Sequence, residues 1–164
     1  MKLIVTLFVS ALFFIGCSSD KPAQNVEAKL VVGKTLKELH LNDQHKKPQT
    51  IPSDTKFVVF SFSKPVGHMC NAFLEEHPAD YLPKHHVVYV ADVSPAPSII
   101  KNMFILPDLE KLPFPILLIN DDLLSDSYHK DIDREKIVVV ELDNLTITAV
   151  RYLKTKEELD SLFK

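Results

Sequence analysis

Tryptophan is absent from this 164-residue chain, and glycine (three residues) and cysteine (two) are scarce. Three glycines leave no room for a Gly-rich loop around a phosphate, which needs several residues free to adopt unusual backbone angles. Two cysteines exclude the multi-disulfide framework of small secreted scaffolds. Basic charge is not in excess. Nineteen Lys and Arg against 22 Asp and Glu give a formal net charge of −3, with no basic stripe, which argues against nucleic acid as a partner. There is no internal repeat, no low-complexity tract and no Ser/His/Asp nucleophile arrangement. Nor is there an apolar run of the roughly 20 residues that cross a bilayer as a helix.

A shorter apolar run opens the chain. Lys2 is followed by Leu3 to Gly16, almost wholly apolar, and then by Cys17-Ser18-Ser19-Asp20. A basic start, a short apolar stretch and a switch to small residues describe a secretory signal. Gly16-Cys17 resembles a bacterial lipobox, with Phe14 where an aliphatic residue is usual. On that reading residues 1–16 are removed, and Cys17 is acylated and becomes the first residue of the working chain. It then anchors the protein in membrane lipid. The competing reading is an ordinary signal peptide with an incidental cysteine. Ser18 after the acylated residue resembles the pattern that permits outer-membrane sorting, so the expected location is the bacterial envelope, facing the periplasm. Loss of Lys2 moves the net charge to −4 and leaves Cys70 as the one free thiol in an oxidising compartment. Residues 17–29, polar and without periodicity, read as the lipidated cysteine and its flexible tether. Residues 30–164 are the size of one domain.

From residue 30 the elements alternate. A weak strand over Leu36–Leu41 runs into a polar turn at 42–48. Lys56–Phe62 and His86–Asp92 are continuous apolar runs, as expected of strands covered on both faces. Between them a helix is expected from about His68 to Glu76, with Pro78 ending it. Pro95 and Pro97 open a helix through Phe104, Pro115–Asn120 is a third buried strand, and Leu123–Tyr128 a short helix. Strands at Ile137–Leu142 and Leu145–Tyr152 flank a tight turn at Asp143-Asn144. Thr155 caps a last helix with Glu158 three residues on, a capping box, and Leu159, Leu162 and Phe163 form its buried stripe. The order β-β-α-β-α-β-α-β-β-α predicts an α/β sandwich with a C-terminal hairpin and helix.

Several phrases in that order resemble the thioredoxin-like superfamily, most closely its peroxiredoxin or thiol peroxidase branch. They are Val32-Gly33, Leu41-Asn42-Asp43-Gln44, Phe57–Phe62 running into a cysteine, Leu112–Leu118, Tyr128 and Val140–Asn144. The resemblance spans about residues 30–164. It implies a thioredoxin-like sandwich with a central mixed sheet, and chemistry at the junction after the central strand. There a helix N-terminus favours thiolate over thiol. The junction here includes Lys64, Gly67, His68, Met69 and Cys70. One alignment makes Cys70 the attacking thiol; counting by C-x-x-C puts Gly67 there and Cys70 at the buried resolving position. The motif is degenerate. Gly67 stands where the branch has a threonine, Ile137 where it has an arginine, with Arg134 and Lys136 as shifted substitutes, and no proline precedes Ile137.

Cys70 therefore has three readings. It is a reactive thiol assisted by His68 and Lys64 as auxiliary cations, a small buried hydrophobe in a catalytically silent domain, or a metal ligand. His68, Met69 and Cys70 together form a soft donor set suited to Cu(I), though no second cysteine is at hand. No resident cofactor is expected. His77, His85 and His86 read as surface residues, and the acidic group Asp121, Asp122, Asp126, Asp131 and Asp133 as a solvated loop. The leading expectation is a membrane-anchored periplasmic lipoprotein doing thiol-dependent redox or peroxide chemistry through Cys70, with an external thiol reductant or protein partner to turn it over. The alternatives are a catalytically silent binding or assembly lipoprotein, or a copper-handling protein.

Overall fold

A computed structural model describes residues 26–163. The expected signal 1–16, the acylation site Cys17 and the tether up to residue 25 lie outside those residues. Among the described residues no helix is long and apolar enough to cross a membrane. Residues 26–29, the end of the expected tether, are already held to the domain. The Lys29 N–H donates to the Ser127 carbonyl at 2.9 Å, and Lys130 Nζ to the Val26 carbonyl at 2.6 Å.

Seven strands make one sheet: β1 (His40–Asp43), β2 (Pro48–Thr50), β3 (Phe57–Ser61), β4 (Val87–Asp92), β5 (Ile116–Ile119), β6 (Ile137–Asp143) and β7 (Thr146–Leu153). The spatial order is β2-β1-β5-β4-β3-β6-β7. β3, β4 and β5 run parallel, and the other pairings are antiparallel. The helices are α1 (Lys64–Glu75), α2 (Tyr81–Lys84), α3 (Ser98–Ile100), α4 (Leu106–Leu109), α5 (Asp122–His129) and α6 (Lys156–Leu162). A π-helical stretch, Lys101–Ile105, joins α3 to α4 into one helical segment over 98–109.

The apolar runs behave as buried parallel strands do, each dividing its side chains between two cores. Val59, Tyr89, Ile116 and Val139 face one side, where α1, the 98–109 segment and α6 cover them. Val58, Phe60, Val90 and Val138 face the other, beneath α5 and the N-terminal stretch that carries Leu30, Leu36 and Leu39.

Three expectations need correction. α1 starts at Lys64 rather than near His68, because Ser63 is already extended and Pro65 sits in the first turn, where its missing N–H costs nothing. The hairpin corner is Asn144-Leu145, both at positive φ (47° and 63°), since Asp143 and Thr146 are the last paired residues. The weak strand expected over Leu36–Leu41 forms only from His40, as β1, and the polar turn after it is anchored. Gln44 is buried, with its amide donating to the Phe114 carbonyl at 2.6 Å and its oxygen accepting the Ile116 N–H at 2.8 Å. Asp43 accepts from the backbone N–H groups of His45 and Lys47 and from Gln49. The capping at Thr155 is as expected, its hydroxyl accepting the Glu158 N–H, while the Glu158 carboxylate reaches back to the Lys154 N–H.

Candidate functional site at the end of the central strand

The parallel strands converge on a junction where β3 passes through Phe62 and Ser63 into α1. Ser63 holds the N-cap position, half-buried, and its hydroxyl makes no capping bond and meets no other hydrogen-bonding group. The first α-helical bond runs from the Gly67 N–H to the Ser63 carbonyl. A Cβ on Gly67 would lie 3.8 Å from Ser61 Oγ, an ordinary contact, so the junction has room for a side chain there.

Cys70 is the seventh residue of α1, not its opening residue. The field of free N–H groups fades within the first helical turn, so it does not act on this sulfur. Val66, Cys70, Phe73 and Leu74 share one face of α1 and dock it onto the sheet. Cys70 is only 1% exposed. Burial pushes its thiol up to about 12, although a hydrogen bond from the Tyr89 hydroxyl pulls the other way. That hydroxyl also lies 2.9 Å from Ser61 Oγ. Ser61, Tyr89 and Cys70 thus form a short polar chain inside an apolar core, each satisfying the next. The thiol seat expected at the helix start is occupied by Ser63, with Val66 three residues on. Neither Ser63 nor Val66 carries sulfur, so the helix start holds no thiol. Pro65 was the signal: a proline in the first helical turn marks the start at 64.

The other expected residues do not gather around Cys70. Lys64 and His68 are exposed, and His68 lies toward Asp108. Met69 is half-buried against the core. Solvent, core edge and core interior are three different surroundings, so the His68, Met69 and Cys70 donors do not converge on one ion. Among the described residues no cluster of three or more His, Cys, Asp or Glu side chains could hold a metal ion. His77 and His85 are half-buried surface residues, their rings tilted against Tyr81 at 3.9 and 4.4 Å between centroids. Of the shifted cations, Arg134 reaches the junction, donating to the Phe62 carbonyl at 3.4 Å, whereas Lys136 pairs with Asp133.

A second polar cluster, not visible as a motif, lies at the end of β4. Ser125 Oγ donates to Asp92 Oδ2 at 2.5 Å, and its oxygen lies 3.1 Å from His129 Nδ1. With its proton committed to Asp92, Ser125 accepts from the Nδ1–H of His129 and fixes that tautomer. His129 Nε2 then faces Asp126 at 3.7 Å. Burial, with the Arg134 charge behind it, holds His129 below the usual histidine range, while Asp126 and Asp92 pull upward. Ser125 is 2% exposed, so the relay orients His129 and offers no accessible nucleophile. The acidic group is divided among tasks: Asp121 caps α5 by accepting the Leu124 N–H, and Asp133 binds Lys136. Asp121, Asp126 and His129 line a groove of about 1200 Å³ between α5 and the Pro95–Lys101 segment. The i, i+4 spacing of Ser125 and His129 on a short helix was the available sequence signal.

No protein-family model matches the sequence, and no curated protein matches it. Solved structures do. The thioredoxin domain of a thiol-disulfide oxidoreductase from Bacteroides vulgatus superposes with a TM-score of 0.53 at 11% identity, over 82% of this chain and 99% of that one. A peroxiredoxin-like protein from Aquifex aeolicus gives 0.53 at 11% identity, over 84% and 88%. The fold is thioredoxin-like. The exposed lipoprotein thioredoxin of Streptococcus pneumoniae is also similar, with a TM-score of 0.50 at 15% identity over 76% of this chain and 96% of that one. β3, β4, β6 and β7 lie side by side in the sheet, and Ser63 holds the β3–α1 junction.

Proposed function

We propose that this chain is a lipoprotein of the bacterial envelope, held by an acylated Cys17 and facing the periplasm, whose thioredoxin-like domain binds or assembles rather than exchanging disulfides. The observation that carries this reading is the seat of Cys70. Burial pushes the thiol up to about 12, so at neutral pH it stays protonated, and the thiolate is the nucleophile. Burial adds a steric barrier, and the helix start offers a serine. The signal-like run before Cys17, and the similarity to an exposed lipoprotein thioredoxin, support the envelope location.

A second reading keeps thiol-dependent redox chemistry at Cys70, favoured by the fold it shares with oxidoreductases and peroxiredoxin-like proteins and by the Tyr89 hydroxyl against its sulfur. It requires α1 to open. Iodoacetamide labelling of the folded, full chain separates the two. The binding-module reading expects labelling only at the rate of unfolding; labelling at the rate of a free thiol overturns it and favours the redox one. Cys17→Ala is expected to release the protein from the membrane fraction, and its persistence there would refute the anchor.

A further inference from the structure

Four large apolar side chains stand in solvent on one short stretch: Ile99 (70% exposed), Met103 (64%), Phe104 (57%) and Ile100 (42%). They form two i, i+4 pairs, so they share one side of the 98–109 segment. Its other side, with Ile105, Leu106 and Leu109, packs on the core. A helical segment with apolar residues on two sides is expected to be covered on both, and here only the inner side is covered. Beside this face runs the groove to α5, which Ser98 and Lys101 line from one side and Leu123, 51% exposed, from the other. Four exposed apolar side chains on one side of a single short segment mark a contact with protein or membrane.

The chain entry says which. Val26, where the described chain begins, lines the same groove as Ser98, Lys101 and Leu123. Only nine steps of chain separate it from Cys17, a reach of about 30 Å when fully extended. If Cys17 carries lipid, as proposed above and as this inference requires, the groove cannot stand farther than that from the bilayer. A surface tethered so close is met at high effective concentration, without any search for a partner. We infer that the outer face of the 98–105 stretch docks onto the bilayer that holds Cys17, its four apolar side chains entering the headgroup boundary. Lys101, set among them, extends its stem along this face and places its amine among the headgroups.

The chain has no tryptophan, so a single one reports without background. The test uses the full-length, lipidated protein in phosphatidylethanolamine–phosphatidylglycerol vesicles with and without brominated acyl chains. Met103→Trp is expected to emit at shorter wavelength and to be quenched by brominated lipid. Tyr152→Trp, on β7, is expected to do neither. Adding Phe104→Glu to Met103→Trp is expected to relieve the quenching while the protein still floats with the vesicles. Flotation with unquenched Met103→Trp overturns docking and leaves the anchor standing. Loss of flotation refutes the anchor itself. A wavelength shift that depends on protein concentration and not on bromine assigns the face to a second copy and overturns the inference.

Discussion

At position 70 the sulfur lacks both features that make a cysteine nucleophilic, a local positive field and access to solvent. Ser63 has the field, at the N-cap of a twelve-residue helix, and an oxygen with no partner. Ser63→Cys is therefore expected to place a thiol that titrates below the ordinary value of about 8.5 and is alkylated in the folded protein faster than native Cys70, though its buried seat slows the reaction. A pH series of alkylation rates on Ser63→Cys/Cys70→Ala measures it; a thiol titrating at or above that ordinary value would show that the helix terminus does not act here. Burial, unlike position, is hidden from single-residue reading. Free cysteine is among the most buried residue types and also the most reactive, and the sequence around 70 suits both. What decides is Tyr89, nineteen residues away on the neighbouring strand, and no local spacing announces that meeting.

Elements were legible where they are apolar and long. Phe57–Ser61, Val87–Asp92, Ile116–Ile119 and Ile137–Asp143 all fall where continuous Val, Ile, Leu and Phe runs put them, because a strand covered on both faces has no other composition. β2, three residues long with Pro48 and Gln49, carries no such pattern and was missed. It exists because Asp43 and Gln44 fix the turn that folds the chain back along β1. Gln44 ties that hairpin to the start of β5, so Gln44→Ala leaves the Phe114 carbonyl and Ile116 N–H buried without partners. The expected loss is about 2–6 kcal/mol, one to three for each orphaned group, read as a lower urea midpoint at unchanged slope. A midpoint within error of the parent would mean that water replaces the side chain. At the other end of the chain, Thr155→Ala removes the cap of α6 and is expected to cost about 1 kcal/mol in the same assay. An unchanged midpoint there would show that the Glu158 contact alone holds the helix start.

For the whole molecule, two titrating groups, the half-buried His129 and the buried Asp43, couple stability to acid in separate pH ranges. His129 is held below its ordinary value by burial, then by Arg134. The unfolded chain binds that proton first, so stability is complete above the ordinary histidine value of about 6.5 and falls as pH drops from there toward the lower folded value. Asp43 is also lowered. Burial would raise it, but the N–H groups of Lys47 and His45 and the amide of Gln49 outweigh burial. Its contribution is complete above about 3.9, the unfolded value, and is lost as pH falls through the folded one. Acid should therefore weaken the protein in two steps, the first from His129 and the second from Asp43. Urea midpoints at pH 7.5, 5.5, 4.5 and 3 measure both. His129→Gln is expected to flatten the decline between 7.5 and 5.5 and leave the lower step; Asp43→Asn is expected to lower the midpoint at neutral pH and remove the lower step. A parent midpoint that does not move between pH 7.5 and 5.5 would mean that the Asp92–Ser125–His129 relay accepts the proton without strain, with Asp126 pairing the imidazolium and cancelling the cost of burial.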